Sequence, residues 1–471
     1  MNWLNLIYIY QPPTQKKDIV KNIIEKSYIP LLNFFIKNKD KKMLFNINAG
    51  FTDYLYKNGY ISIIEQINIL LKRKQIEITD TAAYQAFLPI LPKNEIIRQI
   101  DLNRDLHKTY FGENYQTNGF FSPSLAFNNE IFKILKERGY KWIVLDETAI
   151  NTKINSSAIY QKDNINIYIR NREYSFGILT TDTDNVAILK NKMLKHFKKN
   201  QFLFTAIDGE TFGYNRPNFE KLLFNIYKDI EIKSILPNEI EKIIVKREKI
   251  EPQISTWIVP LKSDYQNSSF SRWKDPRNKI QNLQNRLKDL AIKTVNTSKF
   301  QIKDPLIIKD NPEYLNEREM TWLKARYLLD QALFQDQFLY SSARPLWNAE
   351  IIEKGAFDLY KSIELTPDAK EKDLNLGKKL YEDIAIMSIE WQNNGTIQKK
   401  IQTFFEEEKV KENTNDKNIR KGYIEGIRRL TKFNAFSLYG AIIKALDMFQ
   451  NKGIWNEIII SAPENTFLGK I

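Results

Sequence analysis

Seven short apolar, β-rich runs, most of them separated by amphipathic stretches, constrain this 471-residue chain more than any other feature. They are Leu4–Tyr10, Met43–Ile47, Ile76–Thr79, Gly119–Phe121, Trp142–Leu145, Ile165–Ile169 and Phe202–Ile207. Most are nearly continuous hydrophobics, as strands covered on both faces are. Ile19–Ile36, Ile61–Arg73, Asn94–Tyr110 and Asn129–Arg138 lie between them with helical periodicity. Alternation of this kind implies right-handed βαβ units and a parallel sheet. Periodicity does not decide whether that sheet is open or closed. The polar residues point to closure, because Gln11, Asn48, Ser124, Asp146, Arg170 and Asp208 fall at or just past the ends of runs, while Glu77 lies inside its own. In a parallel barrel those ends share one rim, where such folds place their active sites. The expectation is an α/β fold: a seven-stranded parallel β/α barrel, TIM-like but incomplete.

From about Ile250 the strands stop, and Pro276–Leu290, Glu317–Phe338, Asp368–Trp391 and Phe433–Phe449 read as helices. The third has Thr366 as cap, Pro367 in its first turn, and one apolar face of Leu376, Leu380, Ile384, Met387 and Trp391. Glu406–Asn418 is charged and reads as a mobile connection. The expected division is a barrel at 1–255, a helical region completing the cleft at 256–400, and a C-terminal helical extension at 401–471.

Composition removes several classes of function. Cysteine is absent, which excludes disulfides, thiolate metal sites and cysteine nucleophiles. His107 and His196 are the only histidines. Both read as surface or packing residues, so no metal centre, no cofactor and no histidine-based nucleophile pair is expected. The net charge of +14 invites nucleic-acid binding, but the 71 basic residues are interleaved with 57 acidic ones, and none is expected. Met1–Pro13 is apolar without a basic leader or a small-residue cleavage site, and it reads as a buried strand. No uncharged apolar run approaches the roughly 20 residues of a membrane span. A soluble, cytoplasmic protein of unknown oligomeric state is expected.

The sharpest segment is Phe204-Thr205-Ala206-Ile207-Asp208-Gly209-Glu210-Thr211-Phe212-Gly213. An apolar strand delivers a carboxylate to its end, glycine permits a tight turn, and a second carboxylate follows two residues later. This can present a general acid beside a structural or sugar-binding acid. Equally, Asp208 and Glu210 can cap the segment that follows. Spacing leaves both open.

These residues resemble a known family. Asp208-Gly209-Glu210-Thr211-Phe212-Gly213 is similar to the fourth motif of glycoside hydrolase family 57, the α-glucan-active α-amylases, glucanotransferases and branching enzymes. Tyr10-Gln11-Pro12-Pro13 resembles the first motif. Gln75-Ile76-Glu77-Ile78 with Tyr84-Gln85-Ala86-Phe87-Leu88-Pro89 resembles the second, and Ala332-Leu333-Phe334-Gln335-Asp336-Gln337 the fifth. Gln99–Gly112, Lys136–Glu147, Trp273–Gln284 and Ile351–Ala356 extend the likeness. The resemblance implies a seven-stranded β/α barrel with a helical region, an α-glucan or oligosaccharide ligand, and Asp208 as general acid/base. It makes Gln11, Glu77, Asp146, Arg170, Glu210 and Asp336 the sugar-contacting set.

One departure bears directly on activity. In Gly119-Phe120-Phe121-Ser122-Pro123-Ser124 the position of the family's nucleophilic glutamate holds Ser124. The motif histidines are replaced as well: Tyr8 or Tyr10 stands in the first motif, Gln85 in the second, Tyr214 in the fourth and Phe334 in the fifth. Gln281 occupies a further position that is often histidine. A retaining glycosidase needs two carboxyl groups about 5–5.5 Å apart. A serine oxygen sits two bonds nearer the backbone than a glutamate oxygen, so it recedes by about 2–3 Å. It is also neutral, with no histidine to activate it. Losing a member of a catalytic unit costs on the order of 10⁴–10⁶ in rate, or about 5–8 kcal/mol of barrier.

Three readings follow. The chain is a pseudoenzyme that binds α-glucan, with Trp142, Trp257 and Trp347 as stacking surfaces or as core. Or it is an inverting hydrolase pairing Asp208 with Glu77, Asp146, Glu147 or Asp336. Or the barrel is a structural or interaction module unrelated to carbohydrate.

Overall fold

The computed structural model describes residues 1–181, 186–258, 270–302 and 314–412. All seven runs are strands: β1 Asn2–Ile9, β2 Met43–Ile47, β3 Ile76–Ile78, β4 Gly119–Phe121, β5 Trp142–Asp146, β7 Ile165–Arg170 and β8 Phe202–Asp208. Three more were not expected: β6 Ile159–Lys162, β9 Lys233–Ser234 and β10 Arg247–Lys249. β6 is antiparallel to β7, the one antiparallel ladder among the described residues. It hides from periodicity because it is only four residues long and half polar, Ile159-Tyr160-Gln161-Lys162, and leads into β7 through a two-residue turn at Asp163 and Asn164, both with positive φ.

The ladders form two five-stranded sheets, not one closed ring. One runs β3-β2-β1-β8 with β9 on β1, the other β10-β6-β7-β5-β4. Two seams join them. Asp80, just past β3, bridges to Phe120 of β4, and on the other side the Asn171 amide donates to the Phe204 carbonyl at 2.9 Å. Alternation along β1 explains the layering. Trp3, Ile7 and Ile9 face the outer helices, whereas Leu4 and Leu6 join Leu44, Trp142, Val144, Tyr168 and Phe204 in an interior shared by both sheets. Gly119 is required here, since a Cβ at that position would lie 2.1 Å from the Trp142 ring.

The helical region occupies Lys279–Asn296, Glu317–Ala332, Asp336–Tyr340, Ala349–Glu364, Glu371–Asn393 and Thr396–Glu412. The single helix expected over Glu317–Phe338 is broken at Leu333–Gln335, where the chain bridges back to Ala86. The helix expected from Asp368 begins at Glu371, because Thr366 instead closes the helix before it, its hydroxyl donating to the Ser362 carbonyl at 2.9 Å. Leu376, assigned to the apolar face, is 38% exposed. The connection expected at Glu406–Asn418 is helical as far as Glu412. The remainder of that connection, and Phe433–Phe449, lie outside the described residues. A buried ion network ties the helices to the strand region. Arg326 meets Glu95 at 2.8 Å and Asp330 at 2.7 Å, and Asp330 takes Arg98 at 2.6 Å. No helix among the described residues is long and apolar enough to cross a membrane.

Candidate functional site

β1 and β8 run in register, so Tyr8 is level with Asp208 at the end of both strands. The chain then turns at Gly209, where a Cβ would meet the Ile9 side chain at 2.8 Å. Asp208 accepts the Glu210 amide at 3.1 Å and the Thr211 hydroxyl at 3.3 Å, so it does cap the short turn Gly209–Thr211. Capping has not settled its charge. Burial and the neighbouring Glu210 hold its carboxyl well above the ordinary carboxylate range. Glu210 caps nothing. Its Oε2 accepts from Gln11 Nε2 at 2.8 Å, and Gln11 Nε2 also reaches the Tyr28 hydroxyl at 3.0 Å. Burial raises Glu210 too, opposed by Gln11 and Asn215.

The helical region completes this set through two adjacent residues. Asp336 accepts the Tyr10 hydroxyl at 2.7 Å. Burial raises its pKa to about 6, with Tyr10 pulling down and Glu210 pushing up. Gln335 accepts the Ser124 hydroxyl at 2.7 Å and donates its backbone N–H to the Gln85 carbonyl at 3.1 Å. Ser124 sits in the left-handed region at φ 56°, in the turn that follows β4. Its carbonyl accepts from the Trp257 amide at 3.1 Å. Tyr8 and Phe121 stack across the interior at 5.7 Å, linking the β1 and β4 sides. The structure thus joins Gln11, Glu210 and Asp208 in one cluster, and ties Asp336 and Ser124 to it through the Tyr10 and Gln335 contacts.

The other candidates lie in different settings. Asp146 accepts from Arg172 at 2.6 Å and Arg170 at 3.1 Å, and Arg170 Nε donates to the Ala206 carbonyl at 3.0 Å. That fully buried trio ties β5, β7 and β8 together. Glu147 accepts the Arg172 amide at 3.1 Å, and burial together with Asp146 raises its pKa. Glu77 is level with Leu44, and through it with Leu6 and Ala206, two residues below Asp208. It faces the interior between Ile76 and Ile78, and burial raises it to about 7. Trp142 and Trp347 are buried, the latter stacked on Trp391, whereas Trp257 is half-buried. His107 is buried beside Thr52, its pKa lowered by burial to about 3, and His196 meets the Tyr174 hydroxyl. Among the described residues no three His, Asp or Glu side chains converge as metal ligands. A narrow recess with about 10 Å³ of room for water lies among Tyr160, Ile167, Ile169, Phe197 and Phe204.

Sequence reasoning did not single out Tyr28, Gln335 or Arg172. Gln335 stood beside Asp336 in a quoted motif and was therefore within reach. Tyr28 lies on an amphipathic stretch with no local signal of its contact.

Residues 3–255 match the model of glycosyl hydrolase family 57. Alpha-amylase 1 of Dictyoglomus thermophilum is 28% identical over 145 residues, 30% of this chain and 20% of that protein. A putative alpha-amylase of Methanocaldococcus jannaschii is 22% identical over 58% of this chain and 64% of its own length. The 4-alpha-glucanotransferase structure from Thermococcus litoralis aligns with a TM-score of 0.62 at 15% identity, covering 77% of this chain and 59% of that one. The GH57-type branching enzyme of Pyrococcus horikoshii aligns at 0.58 and 14% identity, over 81% and 94%. The chain spans only about a fifth of the Dictyoglomus enzyme. The structural likenesses, at these identities, are of fold.

Proposed function

The chain belongs to glycosyl hydrolase family 57, and from that premise we propose that it binds α-glucan at the Asp208 rim while retaining hydrolysis is impaired. One observation carries this reading. The Ser124 hydroxyl, at the position assigned to the nucleophile, is spent on the neutral amide oxygen of Gln335. No base takes its proton, so it is poorly activated for attack. Asp208, Glu210 and Asp336 supply acceptors, and their protonated forms supply donors, for sugar hydroxyls. The seams at Asp80 and Asn171 support taking the two sheets as a seven-stranded barrel around this rim.

The test is calorimetric titration with maltoheptaose beside a reducing-sugar assay. Binding without turnover is expected for wild type, with affinity falling at least tenfold in Glu210→Gln. Absence of maltoheptaose binding overturns the reading. Ser124→Glu restores a carboxylate but not the histidines, so detectable hydrolysis by that variant would assign the whole defect to Ser124.

A second reading is favoured by Asp336, whose pKa near 6 suits a general base, with Asp208, raised well above the ordinary carboxylate range, as the acid. An inverting hydrolase would need these carboxyls about 6.5–9.5 Å apart with water between them. Turnover with inverted anomeric configuration, lost in both Asp208→Asn and Asp336→Asn, would establish it.

A further inference from the structure

The hydroxyls at the rim differ in what stands ready to receive their protons. Ser124 donates to the neutral amide oxygen of Gln335 at 2.7 Å. Tyr28 lies 3.0 Å from Gln11 Nε2, which is a donor. Thr211 lies 3.3 Å from Asp208 and is itself buried. Tyr10 donates to Asp336 Oδ2 at 2.7 Å, the one short bond in this set from a hydroxyl to a carboxylate. A nucleophile and its base are recognised by such a contact, within about 2.6–3.2 Å.

Tyr10 also stands where a nucleophile is needed. Leu4 and Leu6 face the interior and Tyr8 packs against their cluster, so Tyr10 is the next position in that alternation. It lies two residues past Tyr8, which is level with Asp208. Its backbone is on the β1 side and its hydroxyl reaches the helix Asp336–Tyr340, so its half-buried ring crosses the rim. Glu210 raises both Asp208 and Asp336, which places the acid and the base beside one common neighbour. Asp336 faces Tyr10, Tyr340 and Glu210, and among the described residues it meets no Lys or Arg that would weaken it as a base. A phenol, with an ordinary pKa of about 10, is easier to deprotonate than the serine alcohol and easier to expel afterwards.

We propose that Tyr10 is a substitute nucleophile, with Asp336 as its base, that takes a glucosyl group covalently from an activated donor. The inference rests on the sugar-binding reading of the rim. Tyr10 Oη bonds to the anomeric carbon as the bond to the leaving group breaks. The Tyr10 proton passes to Asp336, and Asp208 gives its own proton to the departing atom. Water then attacks the same carbon and yields a proton to Asp208, while the Tyr10 oxygen departs and recovers its proton from Asp336. Two displacements at one carbon retain its configuration. Burial and Asp336 hold the Tyr10 hydroxyl protonated in the resting site, so the first step needs a leaving group that departs readily. Maltoheptaose lacks one, in keeping with impaired hydrolysis.

The test incubates the full chain with a ring-fluorinated α-D-glucosyl fluoride, whose second fluorine slows release of the bound sugar. Intact mass and peptide mapping then locate the label. One fluoroglucosyl group on Tyr10 is expected. Tyr10→Phe should abolish labelling, and Asp336→Asn should slow it on the order of 10²-fold. A label that maps to Ser124, Asp208, Glu210 or Asp336, or that persists in Tyr10→Phe, overturns the proposal. So does wild-type protein that binds maltoheptaose but takes no label, which leaves the rim reading standing. Failure of both binding and labelling removes the two together.

Discussion

Two groups of carboxylates in this molecule, Glu95 and Asp330 in the helical network and the buried Asp336 with half-buried Asp208 and Glu210 at the rim, differ in their partners. In the network at Glu95, Arg98, Arg326 and Asp330, burial pushes Asp330 up, but Arg326 and Arg98 outweigh it and hold it below the ordinary range. At the rim, Asp208, Glu210 and Asp336 meet hydroxyls, amides and one another, and all three are raised. Desolvation raises the carboxyls in both places; at Asp330 the arginines outweigh it. The first group is fixed as ion pairs that join helices. The second is shifted toward the protonated form, as groups at functional sites commonly are.

The sharpest break between them is expected from Arg326→Ala. It leaves Glu95 buried without its cation and Asp330 with Arg98 alone, and should cost about 3–5 kcal/mol in urea unfolding. A loss under 1 kcal/mol would mean the network is solvated and the contrast false. Asp336→Asn should act in the opposite direction. Its folded pKa of about 6 exceeds its ordinary value of 3.8, so the carboxyl stabilises the fold most fully below pH 4. That contribution is lost as pH rises to 6. The amide, which does not ionise, is therefore expected to be more stable than wild type by on the order of 1–3 kcal/mol at pH 8. The difference should vanish below pH 4, and a constant offset across pH would refute the assignment. Tyr10→Phe is the smallest change. Losing one hydrogen bond costs about 1 kcal/mol, and because Tyr10 pulls Asp336 down, the Asp336 midpoint should move upward in an NMR titration.

The comparison also separates what could be read locally. The seven apolar runs became β1–β5, β7 and β8 because hydrophobic continuity is a local property of a buried strand. β6 carries no such signal, since it is four residues long and ends in Gln161 and Lys162 before a two-residue turn into β7. At the site, Asp208 and Glu210 were legible through the strand–glycine spacing, and Gln11 and Asp336 through motif likeness. Their joining was not. Gln11 meets Glu210 across 199 positions, and Ser124 meets Gln335 across 211. Asp146 and Arg170 carried the same signal of a polar residue at a strand end, yet with Arg172 they form a buried ion trio.

The sequence by itself determined the strand–helix alternation, the absence of thiol chemistry, the carboxylate pair at Asp208 and Glu210, and a serine at position 124. These follow from side-chain identity and short-range spacing, which need no folded neighbour. The tertiary structure alone decided which carboxylates meet arginine and which meet only neutral groups, and that Gln335 receives the Ser124 hydroxyl. Protonation and hydrogen bonding depend on distances of a few ångströms between residues far apart in the chain, and only the packed fold sets those.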